Sequence, residues 1–222
     1  MESETAGGPA LLQVEELVPS CFLLRSALEL QEEVRLFDFI MEKDGTDWDS
    51  IRPCMNPTPK TLELVSQPGA EGSPTLDFCS DDEAAVVEMV GKAIGILNWS
   101  RRIKSMTMAA IRYCASGSSP TIGSCFPPHV DHCNDGSWVV LFSLGCTADF
   151  HVKTPGTAQH SFEMQSGEIL VFDPSSEAAI LHGVAGVGGA QSCARELGDR
   201  FEALRGSRYG VQCRVCWCYL IC

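Results

Sequence analysis

The 222-residue sequence predicts a mixed α/β fold of the α+β type, with helices in the first half of the chain and strands in the second. Two observations predict this class. Before residue 105, two segments carry apolar residues at helical spacing. After it, short apolar runs are separated by Gly, Pro, Ser and Asp. We therefore expect one domain in which accessory N-terminal helices pack on a sheet core.

The two helical segments are residues 23–42 and 81–97. In the first, apolar residues form an approximate helical stripe among charged residues. The second begins with acidic residues, which suit the N-terminal end of a helix dipole. Residues 51–77 between them are rich in Pro, Thr and Ser and are predicted to be loop. A further short helix is predicted at 190–204.

Five later segments are predicted to be strands because they are rich in Val, Ile, Phe and Leu and end at turn-forming residues. They are residues 107–114, 138–144, 147–152, 168–172 and 209–220. Side chains two positions apart on a strand point to the same face. This rule determines which polar residues of the second half can meet.

Two histidines and one aspartate form the first candidate site. His129 and Asp131 are two apart and can point at one metal ion, while His182 follows an apolar run and must come from another strand. Imidazole and carboxylate suit Fe(II), and three protein ligands leave coordination positions open. The alternative is that His129 caps a turn after two prolines and that His182 is a core histidine.

The last predicted strand carries a second candidate site. Arg208 and Arg214 are an even number of residues apart and therefore share a face. Two guanidinium groups on an interior face require anions, and a small dicarboxylate fits because guanidinium binds carboxylate through two parallel hydrogen bonds. Buried ion pairs or an exposed edge strand are the alternatives. Tyr113 ends another strand and offers a phenol that can donate to a carboxylate, although packing is the alternative role.

Taken in order, these motifs resemble the AlkB-like family of Fe(II)- and 2-oxoglutarate-dependent dioxygenases. The resemblance runs from residue 106 to residue 217, and its most specific part is the Arg-x5-Arg ending. The motifs are Arg112-Tyr113, His129-Val130-Asp131, Ser143-Leu144-Gly145, Ser166-Gly167-Glu168-Ile169-Leu170, His182-Gly183-Val184, Arg208-Tyr209 and Arg214.

The resemblance implies a double-stranded β-helix, or jelly-roll, core with the N-terminal helices packed on it. It also implies that His129, Asp131 and His182 are catalytic and bind Fe(II), with 2-oxoglutarate and O2 as co-substrates. Residues 1–20 are expected to be a flexible tail. Residues 21–104 are expected to form a helical and loop extension that can act as a substrate lid.

The catalytic core is then expected at residues 105–222. The resemblance implies that Arg208 pairs with the distal carboxylate of 2-oxoglutarate, that Tyr113 hydrogen-bonds this co-substrate and that Arg214 lines the same pocket. Two positions depart from the family, which often has Asn where this chain has Ile111 and Gly210. Both departures remove hydrogen-bonding groups near the co-substrate.

Oxidative demethylation of N-alkylated nucleobases in DNA or RNA is the leading predicted function. The net charge of −13 opposes nucleic-acid binding, because phosphates require cations. However, residues 98–130 contain Arg101, Arg102, Lys104 and Arg112 and no acidic residue. The alternatives are a hydroxylase or demethylase acting on a protein or small molecule, and a non-catalytic metal-binding jelly roll.

The sequence also bears on cellular location. The N-terminal residues lack a basic cluster of the secretory type, and no apolar run is long enough to cross a membrane. An intracellular protein, cytoplasmic or nuclear, is therefore expected. Twelve cysteines in such a chain are more consistent with reduced thiols than with a disulfide framework.

Overall fold

The computed structural model describes residues 11–44, 60–62, 65–68, 74–77, 81–114, 125–188, 197, 201 and 204–219. In chain order its elements are β1 (Gln13–Val18), β2 (Cys21–Arg25), α1 (Leu30–Asp44), β3 (Lys60–Leu62), β4 (Val65–Pro68), β5 (Pro74–Asp77), α2 (Asp81–Ile96), β6 (Arg101–Cys114), β7 (Phe126–His129), β8 (Trp138–Gly145), β9 (Ala148–Lys153), β10 (His160–Met164), β11 (Ile169–Phe172), β12 (Leu181–Val187) and β13 (Ser207–Tyr219). The helix predicted at 190–204 falls mostly outside the described residues.

Two antiparallel sheets form the core. The larger has seven strands in the order β1-β2-β11-β8-β13-β6-β3, and the smaller has four in the order β10-β9-β12-β7. Strands β4 and β5 form a separate pair. Leu23, Val139 and Leu170 of the large sheet share one apolar cluster with Phe150 and Val184 of the small sheet. The two sheets therefore pack face to face.

The large sheet is apolar on both faces. On β11, Leu170 and Phe172 belong to the cluster between the sheets, whereas Ile169 and Val171 belong to a second cluster with the helices. Phe37 of α1 is among the helical residues of this second cluster. A strand buried on both faces has a continuous apolar sequence, which explains why these strands were recognisable as apolar runs.

The first predicted helix begins later than its apolar pattern suggested. Cys21–Arg25 is a strand between β1 and β11, and helix α1 begins only at Leu30. Leu23 and Leu24 are both fully buried because they point into opposite clusters, and this produces an apolar run that resembles the start of a helix. Helix α2 covers 81–96, as predicted to within one residue.

The expected flexible tail also differs from the structure where its residues are described. Residues Gln13–Val18 form the edge strand β1, which pairs with β2. The expected extension at 21–104 likewise contributes β2 to the large sheet and contains the first residues of β6. These segments join the core because strand pairing satisfies backbone groups that a tail would leave to solvent.

All five predicted strands are present, as β6, β8, β9, β11 and β13. Strand β7 was not predicted, because its sequence Phe-Pro-Pro-His contains two prolines. Proline is tolerated there because β7 lies at the edge of the small sheet, where one side needs no ladder hydrogen bonds.

Two further sequence expectations concern the described residues. No helix among them is long and apolar enough to cross a membrane. Several described cysteines are free thiols, namely Cys21, Cys114, Cys125, Cys133, Cys213 and Cys216. Cys146 departs from the expected reduced state because it forms a disulfide.

Candidate metal and co-substrate site

A cavity of about 490 Å³ opens between the two sheets. The large sheet contributes lining residues from β6, β8, β11 and β13, and the small sheet contributes residues from β7, β9 and β12. The polar side chains among them are Thr107, Tyr113, His129, Asp131, His182, Gln212 and Arg214. Most of the sequence-predicted site residues therefore reach one space, although they come from four separate parts of the chain.

The metal-ligand candidates converge at the wall formed by the small sheet. One potential ligand atom from each of His129, Asp131 and His182 lies within 4.8 Å of the other two. His129 ends β7, and antiparallel pairing with β12 places His182 directly opposite it. Asp131 follows two residues after His129, with its Oδ1 3.4 Å from His129 Nε2.

Backbone carbonyl groups orient both imidazole rings. His129 Nδ1 lies 3.1 Å from the carbonyl oxygen of Pro127, and His182 Nδ1 lies 3.0 Å from that of Ile180. A carbonyl oxygen can only accept, so each Nδ1 must carry the proton and donate it. The neutral tautomer then has its lone pair on Nε2, which is the state that binds a metal ion.

Arg214 holds the carboxylate of the triad. Its Nη2 donates to Asp131 Oδ2 over 3.2 Å, which leaves Oδ1 on the side of His129. The other terminal nitrogen of Arg214 contacts the thiol of Cys133. The guanidinium therefore lines the cavity, and it is also the ion-pair partner of Asp131.

The charges of the triad suit metal binding. Burial alone would raise the pKa of Asp131, but the hydrogen bond from His129 and the nearby charges of His182 and Arg214 hold this pKa below its usual value. Burial lowers the pKa of His182. The hydrogen bond to Asp131 raises the pKa of His129, so the proton on this ring must leave before a metal ion binds.

Arg208 lies near the start of β13, six residues before Arg214, and is fully buried. Its Nη1 donates to the Ser143 hydroxyl and, over 3.2 Å, to the carbonyl oxygen of Met164. Burial lowers the pKa of Arg208 to about 10, so the group is still a cation at neutral pH. It forms no ion pair with any described residue, and its Nε has no hydrogen-bond partner.

Phe150 lies over this guanidinium, 5.1 Å from Arg208 Cζ to the ring centroid. The same ring lines the cavity, as does Tyr113, which pairs with Arg208 across β6 and β13. Arg208 itself has no exposed surface and does not line the cavity. Phe150 and Tyr113 therefore form the inner wall of the cavity in front of a buried cation that has no ion-pair partner among the described residues.

Aromatic rings surround the two histidines. Phe172 lies 4.6 Å from His182, and Phe126 lies 4.8 Å from His129, between ring centroids. The histidine rings themselves are 4.3 Å apart. These contacts limit the rotation of both imidazoles and make the surroundings of the triad apolar.

The residues fit an Fe(II) ion. Two Nε2 atoms and one carboxylate oxygen approach a common point, each ligand has a hydrogen-bonded partner that fixes its orientation, and the rest of the site is open to the cavity. The buried cation at the inner end fits the carboxylate of a co-substrate, because a buried charge without an anion is costly.

Four further side chains lie at the site without having been predicted from the sequence, namely Ser143, Met164, Phe150 and Gln212. Ser143 and Met164 hydrogen-bond Arg208, and Phe150 covers it. Gln212 faces the cavity between Arg208 and Arg214. The even spacing that selected the two arginines also selects Gln212, whereas the other three depend on strand register, which the sequence alone does not specify.

Comparison with known proteins supports the fold. No protein-family model and no curated protein matches the sequence. The solved structure of OsALKBH1 aligns with a TM-score of 0.58 at 16% identity, covering 91% of this chain and 99% of that one. A 2OG-Fe(II) oxygenase family oxidoreductase from Burkholderia pseudomallei aligns with a TM-score of 0.49 at 13% identity, covering 89% of this chain and 85% of that one.

A prolyl-4-hydroxylase from Pseudomonas putida aligns with a TM-score of 0.48 at 13% identity, covering 88% of this chain and 91% of that one. The alignment with OsALKBH1 extends over nearly the whole of both chains. It confirms the predicted jelly-roll core with N-terminal helices, and it confirms the resemblance to AlkB-like proteins at the level of the fold.

Proposed function

We propose that the protein is an Fe(II)- and 2-oxoglutarate-dependent dioxygenase of the AlkB type. One observation carries this proposal. A single cavity has a convergent His129, Asp131 and His182 set on one wall and, behind its inner wall, the buried Arg208 cation without an acidic partner among the described residues. A metal-chelating dicarboxylate is the kind of small molecule that meets both groups.

Each residue of the site has a role in this function. His129, Asp131 and His182 hold the iron, and Arg214 fixes the orientation of Asp131. Arg208 binds the distal carboxylate of 2-oxoglutarate. Tyr113 lines the cavity, and in this proposal its phenol hydrogen-bonds the same co-substrate.

Iron, 2-oxoglutarate and O2 together supply the oxidation of a substrate C–H bond. The chain orients the reactants and excludes water from them. The aromatic side chains around the histidines exclude the water. Any proton on His129 Nε2 would have to leave for iron to bind, while each Nδ1 keeps its proton and donates it to the carbonyl oxygen of Pro127 or Ile180.

We further propose that the substrate is an N-alkylated nucleobase in DNA or RNA, which is demethylated oxidatively. The Arg-x5-Arg ending at Arg208 and Arg214 supports this assignment because it is typical of the AlkB-like family. Such a base must leave its stack to reach the cavity, which costs least in single-stranded or damaged nucleic acid.

Two observations favour the second candidate, oxidation of a protein or small molecule. The net charge is −13, and the cations of the basic stretch do not line the cavity. The guanidinium of Arg101 is stacked over the rings of Trp99 and Trp138, at 4.8 and 5.5 Å. Arg102 and Lys104 are exposed and do not line the cavity.

The test is succinate formation from 2-oxoglutarate by iron-loaded protein when air is admitted, with and without oligonucleotides carrying N-methylated bases. Turnover that the oligonucleotides stimulate, with release of formaldehyde, supports a nucleic-acid demethylase. Turnover that is indifferent to them supports the second candidate. Absence of succinate under every condition contradicts the dioxygenase and favours a non-catalytic metal-binding jelly roll.

Paired variants make this test specific. Asp131→Ala removes a triad ligand and should abolish succinate formation. Asp135→Ala removes an exposed carboxylate from the same connection, where its Oδ1 accepts a hydrogen bond from the Ser137 amide, and should retain turnover. Full activity of Asp131→Ala would contradict the metal assignment.

A further inference from the structure

We propose that Gln212 binds the 2-oxo acid end of the co-substrate by donating a hydrogen bond from its amide. This inference rests on the proposed function and adds a residue that replaces the hydrogen-bonding groups absent at Ile111 and Gly210. In this role Gln212 binds and positions the co-substrate, and it neither gains nor loses a proton.

The first support is the position of Gln212 along β13. Side chains at even-numbered positions of this strand point to the side of the sheet on which the cavity lies. Gln212 and Arg214 line the cavity, and Arg208 is buried behind its inner wall. Only two even-numbered positions lie between the arginines, and one of them is Gly210. Gln212 is therefore the only side chain on β13 between the two arginines that can offer a hydrogen bond to a molecule in this part of the cavity.

The second support is the surroundings of Gln212. It is half-buried, it lines the cavity, and it forms no hydrogen bond with another described residue. Its cross-strand neighbours are Ala109 on β6 and Leu141 on β8, neither of which has a polar side chain. The amide can therefore satisfy its hydrogen-bonding capacity only towards the cavity, by water or by a ligand.

The third support is the space beside Gln212. At Gly210 an added Cβ atom would make only ordinary contacts, 3.6 Å from both Leu141 Cδ1 and Tyr113 Cε2. The backbone therefore does not require glycine for steric reasons there, and the missing side chain leaves room next to Gln212. Ala109 on the neighbouring strand also takes little space.

The chemistry selects the ligand group. The keto and carboxylate oxygens of 2-oxoglutarate are all acceptors, so the amide NH2 of Gln212 is the group that binds. Gln212 is two residues from Arg214, which holds the metal ligand Asp131, whereas Arg208 lies four residues away at the inner end. This order along β13 assigns Gln212 to the 2-oxo acid end and Arg208 to the distal carboxylate.

The experiment is anaerobic calorimetric titration of 2-oxoglutarate into Mn(II)-loaded protein, with Mn(II) affinity measured separately for each variant. Gln212→Leu keeps the volume and removes the donors. It should weaken 2-oxoglutarate binding about tenfold or more, as expected for a lost hydrogen bond to a charged group. Gln212→Glu keeps the shape, places a carboxylate against the ligand and should weaken binding further. Gln212→Asn keeps the amide and should bind better than Gln212→Leu.

Gln159→Leu is the matched control, because Gln159 is exposed outside the cavity and its amide donates to the Ser161 hydroxyl over 3.3 Å. It should bind 2-oxoglutarate as the wild type does. A merely structural role for Gln212 would change Mn(II) affinity or folding in all three variants and would overturn the inference.

The outcomes separate the two proposals. If the wild type binds 2-oxoglutarate and both Gln212→Leu and Gln212→Glu keep its affinity, the inference is wrong and the proposed function stands. If the metal-loaded wild type does not bind 2-oxoglutarate, the proposed function fails, and the role of Gln212 fails with it.

Discussion

At the residue scale, the site is built by pairing each functional side chain with a second group that fixes it. The carbonyl oxygens of Pro127 and Ile180 orient the two histidines, and Arg214 orients Asp131. Sequence spacing indicated that His129 and Asp131 share a face and that the two arginines share a face, because side chains two positions apart on a strand point to the same side. It was not enough to predict these fixing contacts, which depend on backbone carbonyls and on long-range strand register.

The contact between Arg214 and Asp131 predicts a metal-affinity effect. Arg214→Leu should lower the affinity for Mn(II) or Fe(II) by about 10- to 100-fold, because Asp131 loses the partner that orients it and keeps it charged. Competition with a chelator of known affinity measures the change. Arg102→Leu, which removes an exposed guanidinium on β6, is the control and should leave the affinity unchanged. Equal affinities for the two variants would contradict the role of Arg214.

Burial also determines thiol reactivity. Burial raises the pKa of Cys213 to about 12, and burial raises that of Cys21 to about 12 with a further contribution from Glu16. Both thiols should therefore resist alkylation in the native protein, since the thiolate is the nucleophile. Cys125 is exposed and should react faster than either of these two thiols. Peptide mapping after brief iodoacetamide treatment tests this, and native labelling of Cys213 at the rate of Cys125 would contradict it.

At the scale of elements, the central strands β8, β11 and β13 were predictable and their neighbours were less so. Strands buried on both faces have continuous apolar sequences, which made the central strands visible. Strand β2 resembled the start of a helix for the same reason, since Leu23 and Leu24 point into different clusters. Strand β7 contains two prolines, and only its position at a sheet edge makes it a strand.

The end of β8 provides an element-scale prediction. Gly145 has a positive φ of 91°, and a Cβ atom there would lie 2.5 Å from the backbone oxygen of Ser207. Gly156 has a similar φ of 81°, but a Cβ atom there would have no neighbour within 4 Å. Gly156→Ala should therefore destabilise the protein by about 1–2 kcal/mol through the left-handed backbone alone. Gly145→Ala should cost several kcal/mol, because strain and a backbone clash combine.

Urea denaturation of both variants measures this difference. Gly145 pairs with Arg208 across β8 and β13, so the clash should also disturb the inner end of the cavity. Equal losses of stability in the two variants would mean that the backbone at Ser207 moves away freely, and would contradict the close approach of β8 and β13 at this point.

At the scale of the whole molecule, the fold brings distant parts of the sequence into one cavity. His129 and His182 are neighbours only because β7 and β12 pair in the small sheet. The cavity reaches Arg214 of the large sheet only because the two sheets face each other. The order of motifs along the sequence was enough to predict this architecture. The substrate, however, depends on the surface around the cavity. There the net negative charge disfavours a nucleic-acid substrate, whereas the basic stretch favours one.

The net charge of −13 leads us to predict how strongly nucleic-acid binding depends on salt. If methylated oligonucleotides are substrates, their binding should weaken only modestly with salt, because few phosphates can meet cations of the protein. Arg102→Gln with Lys104→Gln should reduce the salt slope by at most about two. Fluorescence anisotropy at several salt concentrations measures the slope. A steep slope of the order expected for many phosphate contacts would contradict this view of the surface.

The central claim is that one co-substrate molecule extends from a metal ion at the triad to Arg208. The most direct test is an anaerobic crystal structure of the protein with Mn(II) and 2-oxoglutarate. We predict a metal ion bound by His129, Asp131 and His182, with a carboxylate of 2-oxoglutarate against the Arg208 guanidinium and the Phe150 ring displaced from it. A metal ion elsewhere, or 2-oxoglutarate bound away from Arg208 with Phe150 still covering it, would contradict the claim.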